Sequence, residues 1–225
     1  IRDNRRSRGL GDVYKRQEQV LGGLLTYSRI EGAELHTEAL KMNDLLDEVC
    51  LNLNSKITET GASIHYSTLP SVQGDSSQIK RLFQNLFENA IKFRSDDPPA
   101  IAIEVQSAEP GFYEFTVRDN GIGIEEQHRE TVFAIFKRLH RRDEYDGSGI
   151  GLAICKKIAE RHNGEIWIVP QNENGGLTVH FTLPAAGLGA MAAQPLSEDL
   201  ILPEEAPGSH DLDQAPVLEA IAPRT

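Results

Sequence analysis

The sequence predicts an α+β fold, a two-layer sandwich in which helices cover one face of a mixed β-sheet. Three observations support this prediction: amphipathic helical stretches, strands that come in hairpin pairs, and glycine-rich loops between them. The 225 residues suit one folded domain with attachments, because 39% hydrophobic residues are enough for one sizeable core.

The first part of the chain is predicted to hold two helices and a strand. Residues 18–32 carry apolar side chains at three- and four-residue steps, which is typical of the end of a longer helix. A second apolar stripe predicts a helix that is capped by Asn43 and closed by Gly61. Alternating apolar side chains over residues 62–66 then predict a strand.

Three segments are interpreted as lying outside the folded domain. Residues 1–17 are arginine-rich and lack helical periodicity, which indicates a disordered or foreign arm. Residues 33–42 are interpreted as a linker. Residues 185–225 are rich in proline, alanine and acidic residues and are predicted to be a disordered tail, because they cannot bury enough apolar surface to fold alone. The folded domain is therefore expected over residues 43–184.

The second part of the chain is predicted to supply most of the sheet. Asp75, with Gln78 three residues later, resembles a capping box that opens a helix over residues 76–94. The later elements are strands at 100–105 and 113–117, a helix at 151–162, and a hairpin of 165–169 with 177–183.

Charge and cysteine content exclude several functions. A net charge of −11 and a pI near 5.1 argue against non-specific nucleic-acid binding, so any anionic ligand must be held by local donors. Cys50 and Cys155 form neither a disulfide framework nor a metal-binding pattern, and both are expected to be small core side chains. Because no run of about 18 apolar residues occurs, the expected location of this chain is the cytoplasm.

The helix over residues 76–94 is predicted to carry a polar stripe. Its apolar side chains recur at about 100° per residue and form one face. Asn85, Asn89 and Lys92 fall within about 60° of one another on the opposite side. Two carboxamides and an ammonium group therefore face one place.

Three short motifs follow one another: residues 85–92 (NLFENAIK), 119–124 (DNGIGI) and 147–152 (GSGIGL). Each is weak alone, since polar helix faces and glycine turns are common. Their order and spacing resemble the N box and the two glycine boxes of the ATPase superfamily that contains histidine kinases, Hsp90-type chaperones, DNA gyrase and mismatch-repair ATPases. The resemblance covers approximately residues 18–184 and implies the Bergerat fold of histidine kinases.

The chemistry of these motifs suits a nucleotide. Glycines let backbone N–H groups approach phosphate, and the second loop opens directly into a helix N-terminus, so Gly149 and Gly151 are expected at the phosphates. Mg²⁺ accepts few protein oxygens, so the Asn89 carboxamide together with phosphate oxygens is a sufficient site. Asn85 is expected to help hold that end, and Lys92 to neutralise phosphate charge.

The resemblance adds the base-binding end of the site. It implies that Phe93 lies against adenine and that Asp119 accepts a hydrogen bond from its exocyclic amine; the alternative for the second motif is a plain turn. The nucleotide-binding set that it implies is Asn85, Asn89, Lys92, Phe93, Asp119, Gly121, Gly123, Ile124, Gly147, Gly149, Ile150, Gly151 and Leu152.

Residues 132–138 (VFAIFKR) resemble the F box of histidine kinases, which implies that Arg138 reaches the γ-phosphate. The alternative is a short amphipathic helix with both of its phenylalanines in the core. Superfamily members that hydrolyse ATP have a glutamate where this chain has Asn85, and asparagine cannot act as that base. Asn85, Lys92 and Arg138 are therefore the candidate catalytic residues of a site suited to phosphoryl transfer rather than hydrolysis.

Residues 24–29 (LLTYSR) resemble the close of a histidine-kinase dimerisation hairpin, and residues 75–94 look most like kinases attached to phytochrome or PAS modules. The acceptor histidine would precede Glu18, so this chain is expected to phosphorylate a histidine on another chain. The resemblance implies a homodimer through the hairpin and a response regulator as partner. The alternatives are a nucleotide-binding scaffold without catalysis and another ATPase of the superfamily.

Overall fold

The computed structural model describes residues 4–139, 148–170 and 175–187. The helices are α1 (Asn4–Gly32), α2 (Met42–Asn52), α3 (Asn54–Thr60), α4 (Ser76–Lys92) and α5 (Gly151–Arg161). The strands are β1 (Glu38–Lys41), β2 (Ser63–Tyr66), β3 (Ser71–Gly74), β4 (Ala100–Ser107), β5 (Phe112–Asp119), β6 (Ile166–Pro170) and β7 (Leu177–Pro184). Two single turns of 3-10 helix, Glu126–His128 and Thr131–Phe133, lie between β5 and α5.

The main sheet has five strands in the order β2-β4-β5-β7-β6. β2 runs parallel to β4, whereas the other neighbouring pairs of this sheet are antiparallel. Buried and more exposed residues alternate along β4 and β5, so one face of the sheet meets the helices. The predicted α+β fold with a mixed sheet is confirmed.

Aromatic packing fixes α4 on the sheet. The ring of Phe83 lies edge-on to Phe115 of β5 and Phe181 of β7, with centroids 6.2 Å and 5.4 Å away. Phe115 and Phe181 stack on each other at 5.4 Å. All three side chains are fully buried, so removing one ring is expected to cost about 3–5 kcal/mol. The polar side of α4 is thereby held at a defined position.

The start of α4 is tied to the end of α5. Asp75 Oδ1 accepts a hydrogen bond from Gln78 N at 3.1 Å, as the capping box predicts. In a full capping box, Asp75 N would also donate to the Gln78 side chain. This part of the prediction is wrong, because Asp75 N donates to His162 Nε2 at 2.9 Å. His162 Nδ1 lies 2.8 Å from Ile158 O, so the neutral ring donates to that carbonyl. A buried histidine therefore connects the two helices.

The predicted second helix is two helices, α2 and α3, with a break of one residue. Lys41, not Asn43, precedes α2. The Asn43 side chain accepts from Leu69 N at 2.9 Å and donates to Ser67 O at 3.0 Å. The predicted Asn43 cap is therefore wrong, because the loop before β3 uses the same carboxamide. Gly61 closes α3 with φ +67°, as predicted.

Regular structure extends beyond both ends of the predicted domain. The segment interpreted as a linker contains β1, which pairs antiparallel with β3 in a small second sheet. At the other end, Ala185 N donates to Gly111 O at 2.8 Å and Ala186 N donates to Ser71 O at 3.1 Å. The first residues of the predicted tail are therefore bonded to the domain, and its residues beyond Gly187 lie outside the described part of the chain.

Helix α1 begins at Asn4, inside the segment 1–17 that was expected to be a disordered arm. Two glycines in this segment cost about 1 kcal/mol each in a helix. Such a cost does not stop a helix that is already nucleated, because each added residue gains a backbone hydrogen bond. The helical pattern of residues 18–32 therefore continues towards the N-terminus.

One side of α1 packs on α5. A Cβ atom built on Gly23 would lie 2.8 Å from Ile150 Cδ1, so the helices approach closely at this glycine. Farther along, Lys157 Nζ lies 2.8 Å from Glu31 Oε1 and 6.0 Å from the centroid of the Tyr27 ring. Glycine, a salt bridge and a ring contact together hold α1 in place.

The other side of α1 is apolar and exposed. Leu21, Leu24 and Leu25 are 58%, 41% and 57% exposed, and their spacing puts them on one stripe. Among the described residues, no helix is both long enough and apolar enough to cross a membrane.

Candidate nucleotide-binding site

A cavity of about 590 Å³ lies between α4, the loop after β5 and the start of α5. Of the sequence-predicted residues, those that line it are Asn85, Asn89, Lys92, Phe93, Asp119, Gly123, Ile124, Arg138, Gly149, Gly151 and Leu152. Gly121 and Ile150 lie outside its lining, and Gly147 lies outside the described residues. The structure therefore brings the three motifs together at one site.

The polar stripe of α4 faces the N-terminus of α5. A Cβ atom built on Gly151 would lie 3.6 Å from Asn85 Oδ1 and 3.8 Å from Asn89 Nδ2. The two carboxamides therefore face the first turn of α5, where backbone N–H groups and the helix dipole favour an anion. Asn85 is only 9% exposed, so this residue borders the core, although the sequence predicted it on the side of α4 opposite the apolar face.

Asn85 carries a buried polar atom without a strong partner. Its Nδ2 has no nitrogen or oxygen acceptor among the described residues, and its donor group interacts only with the Cys155 thiol, whose sulfur is a weak acceptor. An unpaired buried N–H costs about 1–3 kcal/mol. Since Asn85 lines the cavity, an acceptor atom of a ligand is the natural partner for this group.

Lys92 and Phe93 form the other side of the cavity at the end of α4. Lys92 Nζ lies 4.2 Å from the centroid of the Phe93 ring, within the range of a cation–π contact. Both residues line the cavity. The contact places the ammonium group and the aromatic ring side by side in the lining of the cavity.

Asp119 lies at the deep end of the cavity. Its Oδ1 accepts hydrogen bonds from Gly121 N at 2.8 Å and Leu177 N at 3.1 Å. Burial nevertheless raises the pKa of this carboxyl group, and the two backbone bonds only partly oppose the shift. Both bonds among the described residues go to Oδ1, so Oδ2 is left as an acceptor for a ligand.

The first glycine loop is packed tightly against its surroundings. A Cβ atom built on Gly121 would lie 2.4 Å from Phe93 O, so only glycine fits there. Gly123 has φ +70°, and its Cβ would lie 2.7 Å from Gly176 O. Ile122 N donates to Phe93 O at 2.9 Å, which ties the loop to the end of α4. Gly121 therefore does not line the cavity itself but lets the loop pack closely against Phe93, which does.

The second glycine loop lies against the F-box segment. Gly149 has φ +70°, and a Cβ there would lie 2.9 Å from both Lys137 O and Arg138 Cγ. Ile150 is fully buried, which fixes the loop to the core. Arg138 also lines the cavity, so this approach places the Arg138 side chain beside the second glycine loop.

The prediction that both F-box phenylalanines lie in the core is wrong for one of them. Phe133 is partly buried and packs against the core, but Phe136 is 51% exposed and has φ +65°. The segment makes one turn of 3-10 helix that ends at Phe133, so the 3.6-residue spacing behind the prediction does not apply.

The charge around the cavity differs in sign from that of the whole chain. Its cationic lining residues are Lys56, Lys92, Arg94, Lys137 and Arg138, and its anionic lining residues are Glu88 and Asp119. Five cations face two anions, in a chain whose net charge is −11. The cavity therefore provides the local donors that an anionic ligand needs.

Several lining residues were not predicted. They are Lys56, Glu88, Ile91, Arg94, Val132, Lys137, Leu139, Ser148 and Leu177. Ser148 lies inside a glycine motif, and Glu88 and Ile91 lie between predicted positions of α4, so the motifs themselves were a signal for these three. Lys56 comes from α3, and no local pattern in the sequence links that helix to the site.

The described residues contain no cluster of three or more histidine, cysteine or acidic side chains that is able to hold a metal ion. A metal at this site would therefore depend on carboxamide and ligand oxygens. The Cys155 thiol is fully buried, and burial raises its pKa to about 12, so it stays neutral. This confirms that Cys155 is a core side chain.

Comparison with known proteins agrees with this geometry. Residues 74–187 match the family of histidine kinase-, DNA gyrase B- and HSP90-like ATPases. The chain is 45% identical over 170 residues to cyanobacterial phytochrome A of Nostoc sp., covering 76% of this chain and 22% of that protein. The chain thus spans about a fifth of the length of this curated relative.

Two solved structures share the fold. Full-length ShkA in complex with AMPPNP superposes with a TM-score of 0.65 at 22% identity, covering 82% of this chain and 39% of that one. Histidine kinase ThkA in complex with the response regulator TrrA gives a TM-score of 0.59 at 26% identity, covering 78% and 49%. The chain belongs to the family of histidine kinase-, DNA gyrase B- and HSP90-like ATPases, and its folded domain is an ATP-binding domain of the histidine-kinase type.

Proposed function

We propose that this domain binds Mg²⁺-ATP and transfers the γ-phosphoryl group to a histidine on a dimerisation hairpin, for signalling to a response regulator. One observation carries the proposal. The α4 stripe with its buried Asn85 carboxamide and the N-terminus of α5 meet in the same cavity as the buried Asp119 carboxylate.

Asp119 recognises the base in this proposal. Its Oδ2 accepts a hydrogen bond from the exocyclic amine of adenine, while Oδ1 stays bonded to Gly121 N and Leu177 N. Phe93 lies against the ring, with Gly123 and Ile124 along the same wall. A carboxylate accepts but does not donate, so a base with a 6-oxo group is disfavoured.

The phosphates occupy the other end. Backbone N–H groups at Gly149 and Gly151 and at the start of α5 donate to phosphate oxygens, and Lys92 and Arg138 neutralise charge. The Asn89 carboxamide fits Mg²⁺, which takes few protein ligands when phosphate oxygens supply the rest. When bound, the ion supplies charge neutralisation at the β- and γ-phosphates.

The transfer step needs little covalent chemistry from the protein. An unprotonated imidazole nitrogen forms a bond to Pγ as the bond from Pγ to the ADP oxygen breaks, and the ring then loses its other N–H proton to solvent. Asn85 favours this step over hydrolysis, because a carboxamide cannot remove a proton from water.

The remaining partners follow from the same proposal. The exposed leucine stripe of α1 pairs with a second copy of the chain in a dimerisation hairpin. ThkA is solved with a response regulator, and a receiver domain of that kind is the proposed recipient of the phosphoryl group. A domain that uses ATP works where the nucleotide is abundant, so we place it in the cytoplasm. Residues 43–184 are the proposed catalytic unit.

A nucleotide-binding scaffold without catalysis is the alternative function for the same cavity. Asn85, Asn89 and Asp119 suffice to hold a nucleotide without transferring phosphate, so a scaffold that binds ATP without catalysis would use the same cavity. The absence of a glutamate at position 85 argues against an ATPase of the hydrolytic kind.

Two measurements test the proposal. Thermal unfolding is followed with ATP and a non-hydrolysable analogue, with and without Mg²⁺; a ligand that binds only the folded state must raise the midpoint. The protein is then mixed with radiolabelled ATP and a separate dimerisation hairpin from a phytochrome-type kinase. Label on the hairpin histidine supports the kinase; binding without labelling supports the scaffold; no shift at millimolar ATP contradicts both.

A further inference from the structure

A salt bridge at the mouth of the cavity has no role in the site described above. Lys56 Nζ of α3 lies 2.7 Å from Glu88 Oε1 of α4. Both side chains line the cavity, and they are 55% and 34% exposed. The pair therefore borders the cavity and the solvent at once.

Glu88 is an unexpected residue for a site that holds phosphate. It lies three residues after Asn85 and four before Lys92, so it is one turn from each of them on the helix. A phosphate tail held by that stripe meets a carboxylate of its own sign. Like charges at such distances repel noticeably, because the cavity screens them less than bulk water does.

Lys56 is the charge that the structure sets against this repulsion. Its ammonium group contacts the same carboxylate oxygen that Gln84 Nε2 approaches at 3.5 Å, and Gln84 is neutral. A lysine has a long, flexible stem, so Lys56 is able to stay near Glu88 while a ligand occupies the cavity.

We propose that the Lys56–Glu88 salt bridge sets the affinity of the site for the phosphate tail of a nucleoside triphosphate. In this proposal Lys56 cancels the repulsion between Glu88 and the phosphates. The inference rests on the proposed nucleotide site. It assigns Lys56 a positioning and specificity role that acts through Glu88 rather than through contact with the reacting atoms.

The experiment is a double-mutant cycle read by calorimetry, with ATP, ADP and adenosine as ligands in the presence of Mg²⁺. Lys56→Met is expected to weaken ATP binding about fivefold, ADP binding less, and adenosine binding less than about twofold. Glu88→Gln is expected to bind ATP at least as tightly as wild type, and the double variant to bind it as tightly as Glu88→Gln, because Lys56 has no repulsion left to cancel.

Lys80→Met is the matched control. Lys80 lies on α4 and pairs with Glu48, outside the cavity lining, and this variant changes the net charge by the same amount. It is expected to leave ATP binding unchanged. At about 1 M salt, where the Debye length is about 3 Å, the difference between Lys56→Met and wild type is expected to disappear.

Two results would contradict this role of Lys56. If Lys56→Met weakens ATP binding by the same factor in the Glu88→Gln background as in wild type, Lys56 does not act through Glu88. An equal loss for adenosine and ATP would show a general defect of the pocket. If the wild-type protein binds none of the three ligands, the proposed nucleotide site itself fails, which separates the two failures.

Discussion

The two ends of the cavity are built differently. At the proposed base end, Asp119 Oδ1 already accepts from two backbone N–H groups, and Gly176 N donates to Gly121 O at 2.7 Å. At the proposed phosphate end, Asn85 Nδ2 is buried without a nitrogen or oxygen acceptor among the described residues. The first end is held by several backbone hydrogen bonds before any ligand arrives and keeps only Asp119 Oδ2 as an open acceptor, whereas the second has a buried N–H group that still needs one.

The difference predicts how each end of the cavity contributes to the free energy of ligand binding. A rigid, bonded base end loses little conformational freedom on binding, so it selects the ligand at low entropic cost. An unpaired N–H at the phosphate end gains a partner only when a ligand supplies one. We therefore expect substitutions at the base end to change selectivity, and those at the phosphate end to change affinity for the charged tail.

The largest effect is expected from Asp119→Asn. The new side chain still accepts from Gly121 N and Leu177 N, but its NH₂ group now faces the exocyclic amine of adenine, so ATP binding should fall about 1,000-fold, or about 4 kcal/mol. Calorimetry with ATP and with inosine triphosphate checks this. Relative affinity should move towards the 6-oxo base; an unchanged preference would contradict base recognition by Asp119.

The same variant tests the cost of burying the carboxylate. Since the folded state raises the Asp119 pKa above its ordinary 3.8, the folded domain holds the proton more tightly than the unfolded chain. Stability is therefore lost as pH rises from about 3.8 through the raised value, and the full cost is present at neutral pH. Without ligand, Asp119→Asn should melt a few degrees higher at pH 7, by about 1 kcal/mol.

A smaller effect is expected from Asn89→Ala. Loss of the carboxamide should weaken Mg²⁺-ATP binding about 30-fold, while binding of adenosine changes little. Titrations of ATP with and without Mg²⁺ measure the part that depends on the ion. A variant that keeps the full Mg²⁺ dependence would show that Asn89 does not hold the metal.

Two glycines of the second loop form a matched pair. Gly149→Ala is strained by its φ of +70° and by the 2.9 Å approach to Lys137 O, so it should lower stability by about 1–2 kcal/mol and ATP affinity about tenfold. Gly151→Ala has only ordinary contacts at 3.6 Å and 3.8 Å, and its midpoint should stay close to wild type. Equal effects of the two variants would remove the conformational argument.

The smallest effect is expected from pH, through His162. Burial lowers the pKa of this ring below its ordinary 6.5, so the unfolded chain binds the proton more tightly than the folded domain. Stability should therefore fall as pH drops below about 6.5, by up to about 1.4 kcal/mol per pH unit. Urea titrations from pH 5 to 8 check this, with His162→Gln expected to flatten the curve in that range.

Local patterns were sufficient for the elements that carry their own signals. The apolar face of α4 and the hairpin of β6 and β7 repeat at helix and strand periods, and the structure confirms both. The Gly61 cap was also predictable, because a left-handed residue at a helix end favours glycine.

Features that depend on distant partners were not predictable. β1 has four residues and gains its structure only by pairing with β3, about 30 residues away. Asn43 has the side chain of a cap, but its bonds go to the loop at Ser67 and Leu69. Lys56 reaches the cavity only because α3 packs beside α4. In each case the structure depends on a tertiary contact, which the local sequence pattern does not indicate.

The contact of Gly23 with Ile150 limits how α1 is able to slide. A helix that advances by one residue moves 1.5 Å along its axis and turns by 100°. Such a step would bring Gly22 or Leu24 towards the place of Gly23, where a Cβ atom would lie 2.8 Å from Ile150 Cδ1. Leu24 does not fit there but Gly22 does, so the missing side chain of Gly23 prevents α1 from sliding in one of the two directions past the second glycine loop.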